Sequence, residues 1–235
     1  MHKARTIAQW ALDKQRNEAD LGKRLKQAGI PLEFHGMTWG DYEADVKIKS
    51  SERLYDVLVD YGDHWTPEQR DGLVLLGPAG WGKTAGLAIL QQTLDSKGAW
   101  TKYVPYAELV ERRKQLIGLE QEAQRTDDWE EANKARYRLS FVETECDALF
   151  LDDVGKEYRA ASGWSDDGLD RLLRKRSELG RPTFISSNLS FLDWNKYNSS
   201  MASFLYAVGE VIELTEGRDH RKALTSGQRR RRAAG

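Results

Sequence analysis

The sequence is short of cysteine, of long apolar runs and of any excess of charge, and each shortage narrows what the chain can be. Its 235 residues include one cysteine, Cys146, so no internal disulfide can form within it. That thiol and four scattered histidines do not make the clustered ligand set of a structural zinc site. No stretch is apolar and long enough to span a bilayer, and no membrane partner is expected. Met1-His2-Lys3-Ala4-Arg5 leads into charged residues and not into the short apolar core of a secretory signal, so the expected setting is reducing and cytoplasmic. There is also no internal repeat and no long low-complexity tract.

What is present describes a soluble globular protein: 40% hydrophobic and 31% charged residues with a net charge of -1, enough apolar material for one large domain or one domain with an appendage. The charge is unevenly placed. From Arg218 onward come Arg221, Lys222 and the run Arg229 to Arg232 against a single acid, Asp219. This basic tail, 218–235, reads either as a solvated terminus or as a contact for single-stranded DNA, and the sequence leaves both open.

At the other end, Ile7, Trp10, Ala11, Leu21, Leu25 and Ala28 fall on one helical face, interrupted by Lys14 and Glu18 and stopped by Gly29 and Pro31. Residues 1–35 are therefore expected to be an N-terminal helical segment whose apolar ends pack on the rest of the chain or in another protein's groove. From residue 51 helix and strand alternate. Ser51 to Tyr61 reads as a helix and Thr66-Pro67-Glu68 as a turn, and β-rich runs follow at Leu73 to Leu76, Thr101 to Val104, Leu149 to Leu151, Thr183 to Ser187 and Val211 to Leu214. Strands spaced by helical crossovers predict a mainly parallel sheet covered on both faces, an α/β architecture.

The strongest chemical signal is Gly77-Pro78-Ala79-Gly80-Trp81-Gly82-Lys83-Thr84, a complete P-loop between a buried strand and a helix. Its glycines let backbone N–H groups close around phosphates at a helix N-terminus. Lys83 is placed to reach the β- and γ-phosphates and Thr84 to ligate Mg²⁺, so the expected ATP-binding set runs from Gly77 through Ala85. Ala148-Leu149-Phe150-Leu151-Asp152-Asp153 is an apolar strand ending in two carboxylates, the Walker B arrangement. Asp152 suits a metal ligand and Asp153 a general base for an attacking water. A third strand, Thr183 to Ser187, ends in Asn188, an amide suited to orienting that water.

Together with the late run Val211-Ile212-Glu213-Leu214, Gly217 and Arg221, these segments resemble the DnaC/IstB-type AAA+ ATPases, a family of bacterial and phage replicative helicase loaders and transposase helpers. The likeness runs from about Gln27 to Lys222, since Ala28-Gly29-Ile30-Pro31 and Met37-Thr38-Trp39 resemble the segment that opens the family's ATPase domain. It implies a P-loop NTPase fold of the AAA+ type with a five-stranded sheet and an ATPase core over 36–217. By the same resemblance Asn188 is sensor I, Arg221 is sensor II contacting the nucleotide, and residues 1–35 bind a partner.

One departure stands out. The family carries an arginine just before its last strand that reaches the neighbouring subunit's nucleotide; here Phe204 holds that position, and no arginine lies between Arg181 and Arg218. Arg174 and Arg176, on the helix before the strand that ends in Asn188, are left as substitutes or as ordinary solvated residues. Between Glu108 and Glu145 lies a charged helical insertion with Trp129 and Tyr137; its Lys134, Arg136 and Arg138 face either phosphates or, among Asp127, Asp128, Glu130 and Glu131, solvent. The reading is a weakly hydrolysing ATPase that loads or remodels a replicative DNA helicase, as a homo-oligomer or in a helicase-bound ring. A transposase-assisting ATPase and a non-hydrolysing, nucleotide-gated adaptor are the alternatives.

Overall fold

A computed structural model of the chain describes residues 21–45, 49–155, 164–197 and 199–215. The five apolar runs form one sheet from β1 (Gly72–Leu76), β2 (Thr101–Pro105), β3 (Ala148–Val154), β4 (Thr183–Ser187) and β5 (Gly209–Glu213). Its order is β2-β3-β4-β1-β5, and every pairing is parallel. Helices α1 (Leu21–Ala28), α2 (Trp39–Asp45) and α3 (Lys49–Asp63) precede β1. The crossovers are α4 (Lys83–Ser96), the pair α5 (Tyr106–Thr126) and α6 (Glu130–Ser140), α7 (Trp164–Glu178), and the pair α8 (Phe191–Tyr197) and α9 (Ser199–Val208).

A sheet covered on both faces needs strands apolar at every position, and β1 shows how the sequence meets that demand. Leu73 and Leu75 point into one core with Leu58, Leu87, Leu90 and Phe184. Val74 and Leu76 point into the other with Leu109, Leu172, Ile185 and Leu205. Phe150 and Phe184 stack across β3 and β4 at 4.3 Å between centroids, so neighbouring strands are matched by side chain as well as by backbone.

Part of the N-terminal question is resolved. Leu25 and Ala28 of α1 are buried in the first core, against the chain itself. Arg24 pairs with Asp95 of α4, and Gln91 Nε2 donates to the Ala28 carbonyl at 3.2 Å. Ile7, Trp10 and Ala11 lie outside the described residues. The last strand begins two residues earlier than Val211. Gly209 pairs with Gly72, and a Cβ on Gly209 would stand 1.9 Å from the Gly72 carbonyl oxygen, so a residue that looks like a helix stop is the one the close strand approach requires.

The charged insertion is a helical hairpin whose cations are largely occupied. Arg136 of α6 pairs with Glu120 of α5 at 2.7 Å, Lys134 pairs with Glu130 and Glu131, and Arg113 pairs with Glu143 at 2.5 Å. Tyr137 is 73% exposed. Among the described residues no helix is long and apolar enough to cross a membrane.

Candidate functional site

The site forms at the carboxyl ends of β1, β3 and β4, where the chain leaves the central strand for helices and open α/β sheets bind their ligands. β1 ends at Leu76, and the loop turns on glycines: Gly77, Gly80 and Gly82 have φ of 135°, 85° and 86°. Side chains avoid these conformations. Gly77 is also closed in by space, since a Cβ there would lie 2.7 Å from the Leu214 carbonyl oxygen. Gly82 is the N-cap of α4, which aims the helix's free N–H groups and the positive end of its dipole at the loop. Pro78 and Ala79 are exposed at the rim, while Trp81 and Ala85 pack on the first core.

Behind the loop stands a support that the sequence did not disclose. Buried Tyr42 donates its hydroxyl to the Gly82 carbonyl at 3.2 Å, stacks on Tyr55 at 6.4 Å between centroids and meets Trp39 edge-on. Burial pushes the Tyr42 phenol well above its usual range, so it stays a donor. Met37-Thr38-Trp39 is legible only as a resemblance; Trp39 reaches the loop's support through Tyr42, and that contact needs the tertiary fold.

The structure brings the predicted polar residues together. Lys83, buried at the start of α4, donates from Nζ to the Gly77 carbonyl at 2.6 Å, the Pro78 carbonyl at 2.8 Å and Asn188 Oδ1 at 3.1 Å. Asn188 Nδ2 in turn donates to Asp153 Oδ1 at 2.6 Å. Thr84 Oγ1 donates to Asp152 Oδ1 at 3.1 Å. Loop, helix, acidic strand and amide strand thus meet through five side chains. Arg221 lies outside the described residues, as does the tail 218–235.

Two serines of β4 join this set without having been singled out. Ser186 donates to Asp152 Oδ1 and accepts the Asp153 N–H at 3.0 Å. Ser187 donates to the Val154 carbonyl at 2.7 Å and accepts from buried Trp194 Nε1 at 3.2 Å. Near Asp152, burial first and the carboxylate charge second hold the Tyr103 phenol in its protonated form, so it adds no negative charge.

No cluster of three or more His, Cys, Asp or Glu among the described residues is able to hold a metal ion. Thr84 and Asp152 offer one hydroxyl and one carboxylate. That set fits Mg²⁺, which keeps several waters and takes its remaining oxygens from phosphates. The glycine loop and Lys83 fit a polyphosphate on the same side.

The two candidate substitute arginines part company. Arg176 is neither a solvated residue nor a contact for a neighbour: it is wholly buried. Its guanidinium bonds Thr183 Oγ1 at 2.9 Å, the Pro182 carbonyl at 2.9 Å and the Glu143 carbonyl at 3.1 Å. It reaches the Cys146 and Asp147 carbonyls as well. Arg174 is exposed, bonded to Asp170, and lies over the ring of Phe204.

No family profile and no curated protein sequence matches the chain. Solved structures do. The DnaC helicase loader superimposes with a TM-score of 0.58 at 21% identity, covering 72% of this chain and 92% of that one. DnaI gives 0.59 at 21% identity over 81% and 94% of the two chains. AMPPCP-bound DnaA from Aquifex aeolicus gives 0.56 at 13% identity over 82% of this chain and 53% of that one. The fold is therefore the AAA+ P-loop fold that these proteins share.

Proposed function

We propose that the chain is an AAA+ ATPase that binds Mg·ATP and single-stranded DNA and loads or remodels a replicative DNA helicase. The observation that carries the hydrolytic part is the continuous bond chain from Lys83 through Asn188 to Asp153, with Thr84 and Asp152 alongside. Lys83 exchanges its bonds to the loop carbonyls for the β- and γ-phosphates. Thr84 and Asp152 would hold Mg²⁺, which would supply neutralisation of the phosphate charge. Asn188 orients the attacking water, and Asp153 accepts its proton. The loader role rests on the likeness to DnaC and DnaI, with the N-terminal segment 1–35 as the element offered to the helicase and assembly as a homo-oligomer or a helicase-bound ring.

A second reading has two observations in its favour. Phe204 stands where the resembled family carries its arginine, and Arg174 is engaged within its own subunit; both suit a nucleotide-gated adaptor with little turnover. ATP turnover by the full-length chain, alone and with single-stranded DNA and a replicative helicase, decides between them. Stimulation by helicase or DNA is expected. Tight ATP binding with no turnover under any condition would leave the adaptor, and failure of the full-length chain to bind helicase through residues 1–35 would remove the loader role.

A further inference from the structure

Between Leu151 and Val154 the pairing of β3 with β4 changes register. Leu151 is opposite Ile185 and Val154 is opposite Ser187, so Asp152 and Asp153 together face the single residue Ser186. Two residues against one is a β-bulge, which re-aims side chains at the price of a ladder bond. Asp153 takes the bulge's conformational burden, with φ of 60°, one of two positive-φ non-glycine residues among those described. Its N–H has a side-chain acceptor on the facing strand, Ser186 Oγ at 3.0 Å, and the same hydroxyl gives its proton to Asp152 Oδ1.

We infer that Ser186 is a positioning residue for both carboxylates of the site. Through its acceptor lone pair it holds the Asp153 backbone in the left-handed conformation from which the Asp153 carboxylate reaches Asn188. Through its proton it fixes Asp152, whose Oδ1 also receives Thr84 Oγ1. Ser186 is 2% exposed, and a hydroxyl so deeply buried is retained only where its bonds are made. An alanine would remove the hydroxyl that accepts from the Asp153 N–H and donates to Asp152. The backbone pairing of this position with Leu75 does not use the hydroxyl.

This inference rests on the reading of the site as a Mg·ATP site, and the test separates the two. Affinity of the full-length chain for a fluorescent ATP analogue is measured in EDTA and across a Mg²⁺ titration, for wild type, Ser186→Ala, Ser186→Thr and Ser186→Val, with turnover at saturating Mg²⁺ recorded in parallel. Partners of a metal ligand typically contribute ~10- to 100-fold in metal affinity. Ser186→Ala is therefore expected to move the Mg²⁺ midpoint upward by about tenfold or more, with affinity in EDTA unchanged and kcat reduced more than KM is altered. Thr and Val have the same shape and differ by the hydroxyl, so Ser186→Thr keeps the wild-type midpoint and Ser186→Val shifts it. That pair serves even where the alanine variant does not fold. A wild-type midpoint in both Ser186→Ala and Ser186→Val, with only a lowered melting temperature, overturns the positioning role. A wild type without Mg²⁺-dependent nucleotide affinity overturns the function proposed for the site.

Discussion

The guanidinium carbon of Arg174 lies 4.3 Å from the centroid of the Phe204 ring. An exposed arginine on α7 is thus placed over Phe204 of α9, the residue that the sequence resemblance aligns with the family's arginine. Asp170, one turn before it, holds it from the other side at 2.8 Å.

A cation committed to a ring and a carboxylate of its own subunit is poorly placed to serve a neighbour. Turnover per subunit is expected to stay low and flat as protein concentration is raised through the assembly range. Phe204→Arg is expected to introduce a concentration-dependent component, because a transferred guanidinium can contribute up to ~10³–10⁵ in rate. Strong stimulation with concentration in the wild type, lost in Arg174→Ala, would show that Arg174 swings away from Phe204 and acts in trans.

Much of this site was readable because its parts are contiguous in sequence. A P-loop, a run ending in Asp152-Asp153 and a run ending in Asn188 each carry their chemistry at the end of an apolar stretch, and parallel crossovers bring such ends to one edge. Ser186 was not readable, since its role depends on a one-residue register shift between β3 and β4 that neither strand displays alone. Tyr42 was hidden for a similar reason: it reaches Gly82, forty positions further along the chain. Arg176 did leave a trace. Leu169, Leu172 and Leu173 are buried on α7, and Arg176 is the next position of that stripe, so periodicity placed a charged residue on the inner face.

The Walker residues divide binding from chemistry. Lys83→Ala removes a charge-assisted donor from the phosphates and is expected to weaken ATP binding by ~10- to 100-fold in equilibrium titration. Asp153→Asn keeps the Asn188 contact possible and keeps Asp152, so it is expected to bind Mg·ATP normally and lose turnover by ~10²–10⁴. Equal affinity of Lys83→Ala and wild type would remove the P-loop from the mechanism. Wild-type turnover in Asp153→Asn would remove the base.

Arg176 predicts a large stability effect with no catalytic cause. Its bonds go to carbonyls and a hydroxyl, and burial lowers its pKa from the usual arginine range. Its five N–H groups satisfy the chain around the start of β3 and β4. Removing the side chain leaves several acceptors unsatisfied at ~1–3 kcal/mol each. Arg176→Ala is expected to lose more than ~4 kcal/mol in urea unfolding, with Arg176→Lys recovering only part because an ammonium cannot span the same acceptors. A loss under ~1 kcal/mol would mean that water replaces the guanidinium.

The single cysteine gives a reporter for the same region. Cys146 is wholly buried, donates to the Val142 carbonyl at 3.1 Å, and burial pushes its thiol above the ordinary cysteine range, with Arg176 pulling the other way. Alkylation requires the thiolate, so a raised pKa lowers the reactive fraction at neutral pH, and burial blocks access besides. In native buffer the thiol is expected to resist a disulfide reagent over hours and to react fully in denaturant. Raising pH toward 9 without denaturant is expected to change the rate only as far as opening of the fold allows. Because Arg176 ties the Cys146 carbonyl to β4, Arg176→Lys should speed the native-state reaction in proportion to its loss of stability. Rapid labelling of the folded wild type at neutral pH would mean that the β3 entrance opens locally, and the arginine would then not be the clasp that its bonds describe.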